Sequence, residues 1–306
     1  MSGLDVVAVG HALVDIRVVV DRFPRPDEEA EILREARGAG GSAVNVAIDV
    51  SLLGGSSGVI AKIGFDSFGR IVYEELWSAR VDVRGLRISP TGPTGFSIVT
   101  IDSQGHIALY GCKGVAEALE PGEIDEEVIG EARTVHIASL RLDTSIEAAR
   151  LAKSHGALVS WDPGRRLASL GLERLSPLLK HVDIVFLNRL EARAMTGLEP
   201  AGAARAIASR GPRWVVVKLG AEGALLYGPE GERRIPAFKP PRVVDTTGAG
   251  DAFAAAALLK LARGSDIVEA LTYASAAAAL KVSRLGSHNM PGPREVEELL
   301  ASQAPG

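Results

Sequence analysis

Residues 245–251 read Asp-Thr-Thr-Gly-Ala-Gly-Asp and run directly into the apolar stretch "AFAAAALLKLA". The first turn of a helix carries backbone N–H groups without an internal acceptor, together with the positive end of the helix dipole. Gly248, Ala249 and Gly250 have almost no side chain to obstruct them, so this turn can cradle an oxyanion or a transferring phosphoryl group. Thr246 and Thr247 can cap the turn or add hydroxyl donors. Asp251 falls in the first turn, and a helical side chain leans back toward the N-terminus, into the same pocket. The dipole is expected to keep it ionised near neutral pH. An ionised carboxylate beside a phosphate site repels the phosphate unless it has a task. The task that fits is to orient an attacking hydroxyl and accept its proton, which leaves late in a loose phosphoryl-transfer transition state. The plain alternative is a tight turn followed by an acidic first-turn residue. The stretch is not a P-loop, which needs G-x-x-x-x-G-K-[ST], and Phe253 breaks a G-x-G-x-x-G fingerprint.

A second glycine cluster, "GAGGSAVN", opens another helix. Gly40 and Gly41 let a ligand approach the backbone. Asn45 lies one turn further on the same face, and its amide can both donate to and accept from sugar hydroxyls, or can bond internally to a neighbouring loop. Asp15, after the first strand, can accept from paired hydroxyls or can be a charge at a strand edge.

The elements that must position these residues read as an α/β fold. "LDVVAVG" and "SGVIAKIG" are short apolar runs of buried-strand type. "GAGGSAVNVAIDVSLLGG" reads as a glycine loop, a helix and a glycine stop, while "EAEILREAR" is ambiguous between strand and helix. "DSFGRIVYEELWSARV" is an amphipathic helix capped by Asp66 or Ser67, and "GFSIVTID" and "GHIALYG" form a hairpin across Ser103-Gln104-Gly105. From "TVHIASL" onward strands alternate with helices, which implies βαβ units and a parallel sheet covered by helices. Three helices finish the chain, from about Gly248, Ser265 and Pro293. Two β-rich intervals, 13–37 and 93–112, stand outside the alternation and are expected to form a small separate sheet, a lid or interface on one domain spanning residues 1–306. Ligands of such sheets sit beyond the carboxyl ends of the strands. Asp162, Asn188 and Lys218-Leu219-Gly220 end strands here.

Composition narrows the function classes. The chain has 306 residues, 46% of them hydrophobic, which supports a sizeable core. A net charge of −4 without a basic tract argues against nucleic acid as the main partner. The single cysteine, Cys112, excludes an internal disulfide and thiolate zinc clusters, and is expected to be a small filler in an apolar strand. No membrane-length apolar run and no secretory leader pattern are present, so a cytoplasmic setting is expected. Only three asparagines and two glutamines occur, a depletion of thermolabile amides in keeping with a thermophilic source.

Taken together, these motifs resemble the ribokinase (PfkB) family of carbohydrate kinases. "DTTGAGDAF" is similar to its C-terminal signature, "GAGGSAVNVAIDVSLLGG" to its N-terminal glycine signature, "NRLEA" to its N-x-x-E element and "VVVKLGAEGALLY" to its nucleotide-side strand pair. The resemblance spans essentially the whole chain. It implies a three-layer α/β sandwich with a mostly parallel sheet and a β lid, and transfer of the γ-phosphoryl group of ATP to a substrate hydroxyl. Asp251 would be the base, and Gly248, Ala249 and Gly250 the anion hole. Asp15, Gly40, Gly41 and Asn45 would hold the substrate. Asn188, Lys218, Gly220 and Gly223 would lie on the nucleotide side, and Glu191 would reach Mg²⁺ through water. Some members bind a monovalent cation in regions matching Asp245 and Ser283–Ser287. A homodimer joined through the lid is the further expectation, since exposed strand edges invite pairing.

Two departures bear on the substrate. "WDPGRR" resembles the D-P-N-x-R element of some sugar-acid and sugar-phosphate kinases with Gly164 in place of Asn. "ALYGCKGVAEAL" resembles a lid-to-core segment that elsewhere carries Tyr-Arg where Gly111-Cys112 stand, so the arginine expected to pair an acidic sugar is missing. Lys113 could take that part, and Arg166 could reach a phosphate or be only a solvated charge. A sugar, a polyol, a sugar phosphate or a nucleoside all remain open as acceptor. The nucleoside reading needs an apolar base slot, for which Phe96, Leu109 and Tyr110 are candidates. A non-catalytic nucleotide- or sugar-binding protein is disfavoured by Asp251 and the anion hole.

Overall fold

The computed structural model describes residues 3–104 and 106–303. Gly105, in the turn of the expected hairpin, lies outside the described residues. β1 (Leu4–Gly10) is buried along its whole length. Continuous apolar runs of this kind suit a strand covered on both faces. Its side chains alternate, Val6 and Ala8 entering one core while Val7 and Val9 enter the other. β2 (Leu13–Val20) and β3 (Ile32–Gly40) leave this layer, and α1 (Ser42–Leu52) brings the chain back. β4 (Ser57–Gly64), α2 (Ser67–Ser78) and β5 (Leu86–Ser89) follow, and then β6 (Thr94–Ile101) and β7 (Ile107–Gly114).

The regular alternation runs through α3 (Glu126–Gly130), β8 (Ala132–Ala138), α4 (Leu142–Ser154), β9 (Leu158–Asp162), α5 (Gly164–Ala168) and α6 (Leu172–Leu179). It continues with β10 (Ile184–Asn188), α7 (Arg189–Thr196), α8 (Pro200–Ala208) and β11 (Trp214–Lys218). β12 (Ala224–Gly228) and β13 (Gly231–Ile235) add an antiparallel edge before α9 (Ala249–Ala262), α10 (Ile267–Lys281) and α11 (Pro293–Ser302).

Among the described residues the large sheet runs β13-β12-β11-β10-β9-β8-β1-β4-β5, parallel from β11 through β5. One face is covered by α1, α2, α9, α10 and α11, the other by α3 to α8. This is the expected α/β sandwich with a large, mostly parallel sheet. Because β1, β8, β9, β10 and β11 share a direction, their last residues line one edge: Gly10, Ala138, Asp162, Asn188 and Lys218. The second sheet, β3-β2-β6-β7, stands apart from the first, and its register sets Asp15 between Gly38 and Ser97.

Several expectations change. "EAEILREAR", ambiguous between strand and helix in sequence, is resolved as strand from Ile32. Gly38, Ala39 and Gly40 belong to that strand and not to a loop, and Gly41 alone turns the chain into α1. Cys112 is exposed on β7 instead of filling a core. β5 and β13 give no sequence signal; β13, "GERRI", has charged, mostly exposed residues because it pairs on one side only. Asp66 is the cap of α2, accepting from Gly69 N–H. No helix among the described residues is long and apolar enough to cross a membrane.

Candidate active site

Gly248 caps α9 with φ of 74°, a left-handed conformation that favours glycine. The bend sets the start of α9 beside the carboxyl end of β11, with the Ala249 N–H bonded to Thr246 O at 3.2 Å. Lys218, the last residue of β11, reaches the same point: a Cβ built on Gly250 would lie 3.1 Å from its Nζ. The loop before the helix is fixed by Asp245, whose Oδ1 accepts from Thr247 N–H at 2.9 Å and Oδ2 from Gly286 N–H at 3.0 Å.

Asp251 Oδ2 accepts from Asn45 Nδ2 at 2.7 Å. The two glycine clusters, more than 200 residues apart, therefore meet at one hydrogen bond. The carboxylate is less acidic than a first-turn position by itself suggests. Burial pushes the Asp251 pKa up to about 6, the bond from Asn45 opposes this, and Asp162 adds to it. Desolvation thus outweighs the helix dipole. The group remains mostly ionised at neutral pH and has a pKa near the operating range of a general base.

Asn45 is engaged at both ends of its amide. Its Oδ1 accepts from His288 Nε2 at 2.9 Å, and His288 Nδ1 lies 3.0 Å from Glu75 Oε2. Glu75 Oε1 accepts from Ala39 N–H at 3.0 Å, which ties the chain to β3 of the small sheet. Burial works to raise the Glu75 pKa, but the bonds from His288 and Ala39 outweigh it and hold it below the usual value. Neither His288 nor Glu75 stood out in the sequence. They sit 213 residues apart, and no local pattern pairs them.

Asp15 bonds the Ser97 hydroxyl, and its carboxylate fills the space where a Cβ on Gly40 would stand. A Cβ on Gly41 would overlap the His11 carbonyl. Asp15, Gly40, Gly41 and Asn45 thus form one continuous wall ending at Asp251.

On the other side of α9's start, a cavity of about 490 Å³ is lined by Asn188, Lys218, Gly220, Gly223, Ala249 and Gly250, with Phe238 among its apolar residues. This gathers the four nucleotide-side candidates with Ala249 and Gly250 on one space, of a size usual for ligand sites; Gly248 does not line it. Lys218 Nζ donates to Asp162 Oδ2 at 2.9 Å. Burial works against its charge, but Asp162 outweighs burial and holds the Lys218 pKa above the usual value. Asn188 and Glu191 form a reciprocal cap on α7: Asn188 Oδ1 accepts from Glu191 N–H at 2.9 Å and Glu191 Oε2 from Asn188 N–H at 2.8 Å. Glu191 is buried, and burial together with Asp162 raises its pKa.

A third space, about 690 Å³, opens at the ends of β1, β8 and β9, lined by His11, Lys113, Glu117, Arg141, Asp143, Arg165 and Arg166. Glu117 pairs with His11 at 3.0 Å and with Arg166 at 2.6 Å, and Arg141 pairs with Asp143. Lys113 and Arg165 have no such pair among the described residues, so cations exceed carboxylates there. The arginines of this space come from the residues that follow β8 and β9.

A model of the pfkB family of carbohydrate kinases matches residues 4–293. The chain is 37% identical over 300 residues to an ATP-dependent ribose-1-phosphate kinase of Halopiger xanaduensis, covering 97% of this chain and 98% of that protein. It is 29% identical to a nucleoside kinase of Methanothermobacter thermautotrophicus, with 98% and 96% covered. Its fold is similar to that of Arabidopsis thaliana ribokinase complexed with ribose and ATP, with a TM-score of 0.88 at 28% identity, over 98% of this chain and 99% of that one. With the family model matched from the first strand to the start of α11, and these likenesses running the full length of the chain, the chain belongs to the pfkB family of carbohydrate kinases.

Proposed function

We propose that the protein transfers the γ-phosphoryl group of ATP to a hydroxyl of a phosphorylated pentose, ribose 1-phosphate being the first candidate. The observation that carries the choice of acceptor is the cation-rich space around Lys113, Arg141, Arg165 and Arg166. It adjoins the acceptor wall through His11, whose carbonyl abuts Gly41. An anionic substituent would be drawn there while the hydroxyl at the other end of the sugar meets Asp251. The full-length likeness to a ribose-1-phosphate kinase supports the same acceptor. The apolar slot that a nucleoside base needs is less well supported: Phe96 packs edge-on against Phe68, and Leu109 and Tyr110 are 69% and 64% exposed.

In the reaction the acceptor hydroxyl oxygen attacks the γ-phosphorus, the bond from that phosphorus to the β–γ bridging oxygen breaks, and the hydroxyl proton passes to Asp251. The Gly248–Gly250 turn and Lys218 hold the phosphoryl oxygens as charge shifts onto the leaving ADP. Asn45 fixes the carboxylate, with His288 behind it. Mg²⁺ suits the site, since it favours one or two carboxylates with phosphate oxygens and water, and Asp162 and Glu191 offer such a pair beside Lys218. Bound there with ATP, it would neutralise phosphate charge. The small sheet would act as a lid, and the exposed Ile32, Leu33, Leu109 and Tyr110 on its strands suit pairing with a second copy.

The test is ADP release in a coupled assay with ribose 1-phosphate, ribose and nucleosides as acceptors. Ribose 1-phosphate should give the highest kcat/KM. Changing both Lys113 and Arg165 to Met should raise its KM by at least about tenfold, the value of a charge-assisted contact or two, with KM for ATP unchanged. Higher kcat/KM with nucleosides, or no KM effect in the double variant, refutes the choice of acceptor.

A further inference from the structure

Lys281, the last residue of α10, is wholly buried. Its Nζ donates to two backbone carbonyls, Thr247 O at 3.1 Å and Gly286 O at 2.5 Å. Thr247 immediately precedes the capping Gly248, and Gly286 is the residue whose N–H Asp245 holds. The ammonium therefore sits between the anion-hole loop and the loop after α10. Burial lowers the Lys281 pKa; the carboxylates of Asp49, Asp245 and Asp251 oppose this, and Arg17 adds to it. Asp49 lies one turn after Asn45 on α1, fully buried, and neither of its carboxylate oxygens has a hydrogen-bond partner among the described residues.

Burying an ammonium is costly, and an apolar side chain of similar length would fill this space at less cost. The placement is specific nonetheless. Carbonyls from the two loops converge, and converging carbonyl oxygens repel one another unless a cation stands between them. In the regions around Asp245 and 283–287, where a free monovalent cation was an expectation, the carbonyls of Thr247 and Gly286 already hold a tethered cation. A free ion between these two carbonyls would have to displace the ammonium.

We infer that the Lys281 ammonium is a positioning group that locks the Gly248–Gly250 turn against the loop at Gly286, in place of a free monovalent ion. The inference rests on the reading of that turn as the anion hole. Losing the ammonium lets the turn shift without touching the acceptor wall, so turnover falls while acceptor binding persists.

Two measurements test this. The wild-type enzyme is assayed in tetramethylammonium buffer with and without added K⁺, on whichever acceptor it phosphorylates. Turnover should be the same in both. The Lys281→Ala variant should lose about 100-fold in kcat, the scale of an ångström-sized misplacement, with acceptor KM little changed. Added ammonium or K⁺ should restore part of its turnover, which a merely structural lysine would not allow. A wild-type requirement for K⁺ overturns the inference even if the variant does not fold. So does a folded variant with full turnover, or one that neither ion revives. Absence of phosphorylation by the wild type on any acceptor would refute the kinase reading instead.

Discussion

The substitution Asp251→Asn tests the base and its burial in one experiment. The side chains are nearly isosteric, and the amide oxygen of the variant can still accept from Asn45 Nδ2. A general base contributes about 10²–10⁴-fold, so kcat should fall by about that much while ATP still binds. The same change removes a buried charge. Burial pushes the Asp251 pKa up to about 6 from an ordinary value of 3.8. At about 1.36 kcal/mol per unit this gap corresponds to about 3 kcal/mol, a ceiling for a carboxylate that still borders an open cleft. About 1–2 kcal/mol is the working value. The sign follows from linkage. A folded pKa above the unfolded one favours the protonated native state, so the benefit is complete below about pH 4 and is lost as pH rises through about 6. Above that pH the wild type carries the cost of the buried charge and the variant does not. The variant should therefore melt a few degrees higher at neutral pH and match the wild type near about pH 4. The assays are coupled ADP release and thermal unfolding at several pH values. Near-normal turnover refutes the assignment of the base. A variant that gains no stability over wild type between acid and neutral pH refutes the buried charge.

Two further outcomes follow from the same contacts. His288→Leu removes the bond that sets the Asn45 amide, so kcat should drop by about 10–100-fold with ATP KM little altered, as steady-state kinetics will show. Lys218→Met leaves the 16% exposed Asp162 carboxylate without its cation, though Gly164 N–H still donates to it; urea unfolding should show a loss of about 1–3 kcal/mol, and ATP KM should rise.

Much of this was legible in the chain because its signals are local. β1, β4 and β10 are short apolar runs, which is how strands covered on both faces read. The start of α9 needs only glycine and small residues at set positions. β3 was only ambiguously legible and β13 not at all, because their side chains are mostly exposed and no burial pattern marks them. The His288–Asn45 bond spans 243 residues, and neither end carries a periodic or motif signature that pairs it with the other. Lys281 reads as an ordinary cation in the last turn of a helix, where lysine favours the dipole. Only the packing of α10 against the anion-hole loop turns it inward.

The ionisation of Asp251 shows why magnitude must decide between local effects. A helix dipole is worth about 0.3–1 kcal/mol at exposed sites and up to about 2 kcal/mol when partly buried. Desolvation of a carboxylate can shift its pKa by several units. The sequence displays the first effect and hides the second, so reading it alone reaches an ionised carboxylate at neutral pH but misses that its pKa is raised. The same balance explains the two lysines. A helix start that must hold phosphate next to a carboxylate needs more positive charge than its dipole provides. Lys218 brings that charge to Gly250 from the sheet, and Lys281 brings it to the Thr247 carbonyl from α10. On the proposed reading one would face the phosphate and the other would hold the turn that faces it, so loss of Lys218 should appear in ATP binding and loss of Lys281 in turnover.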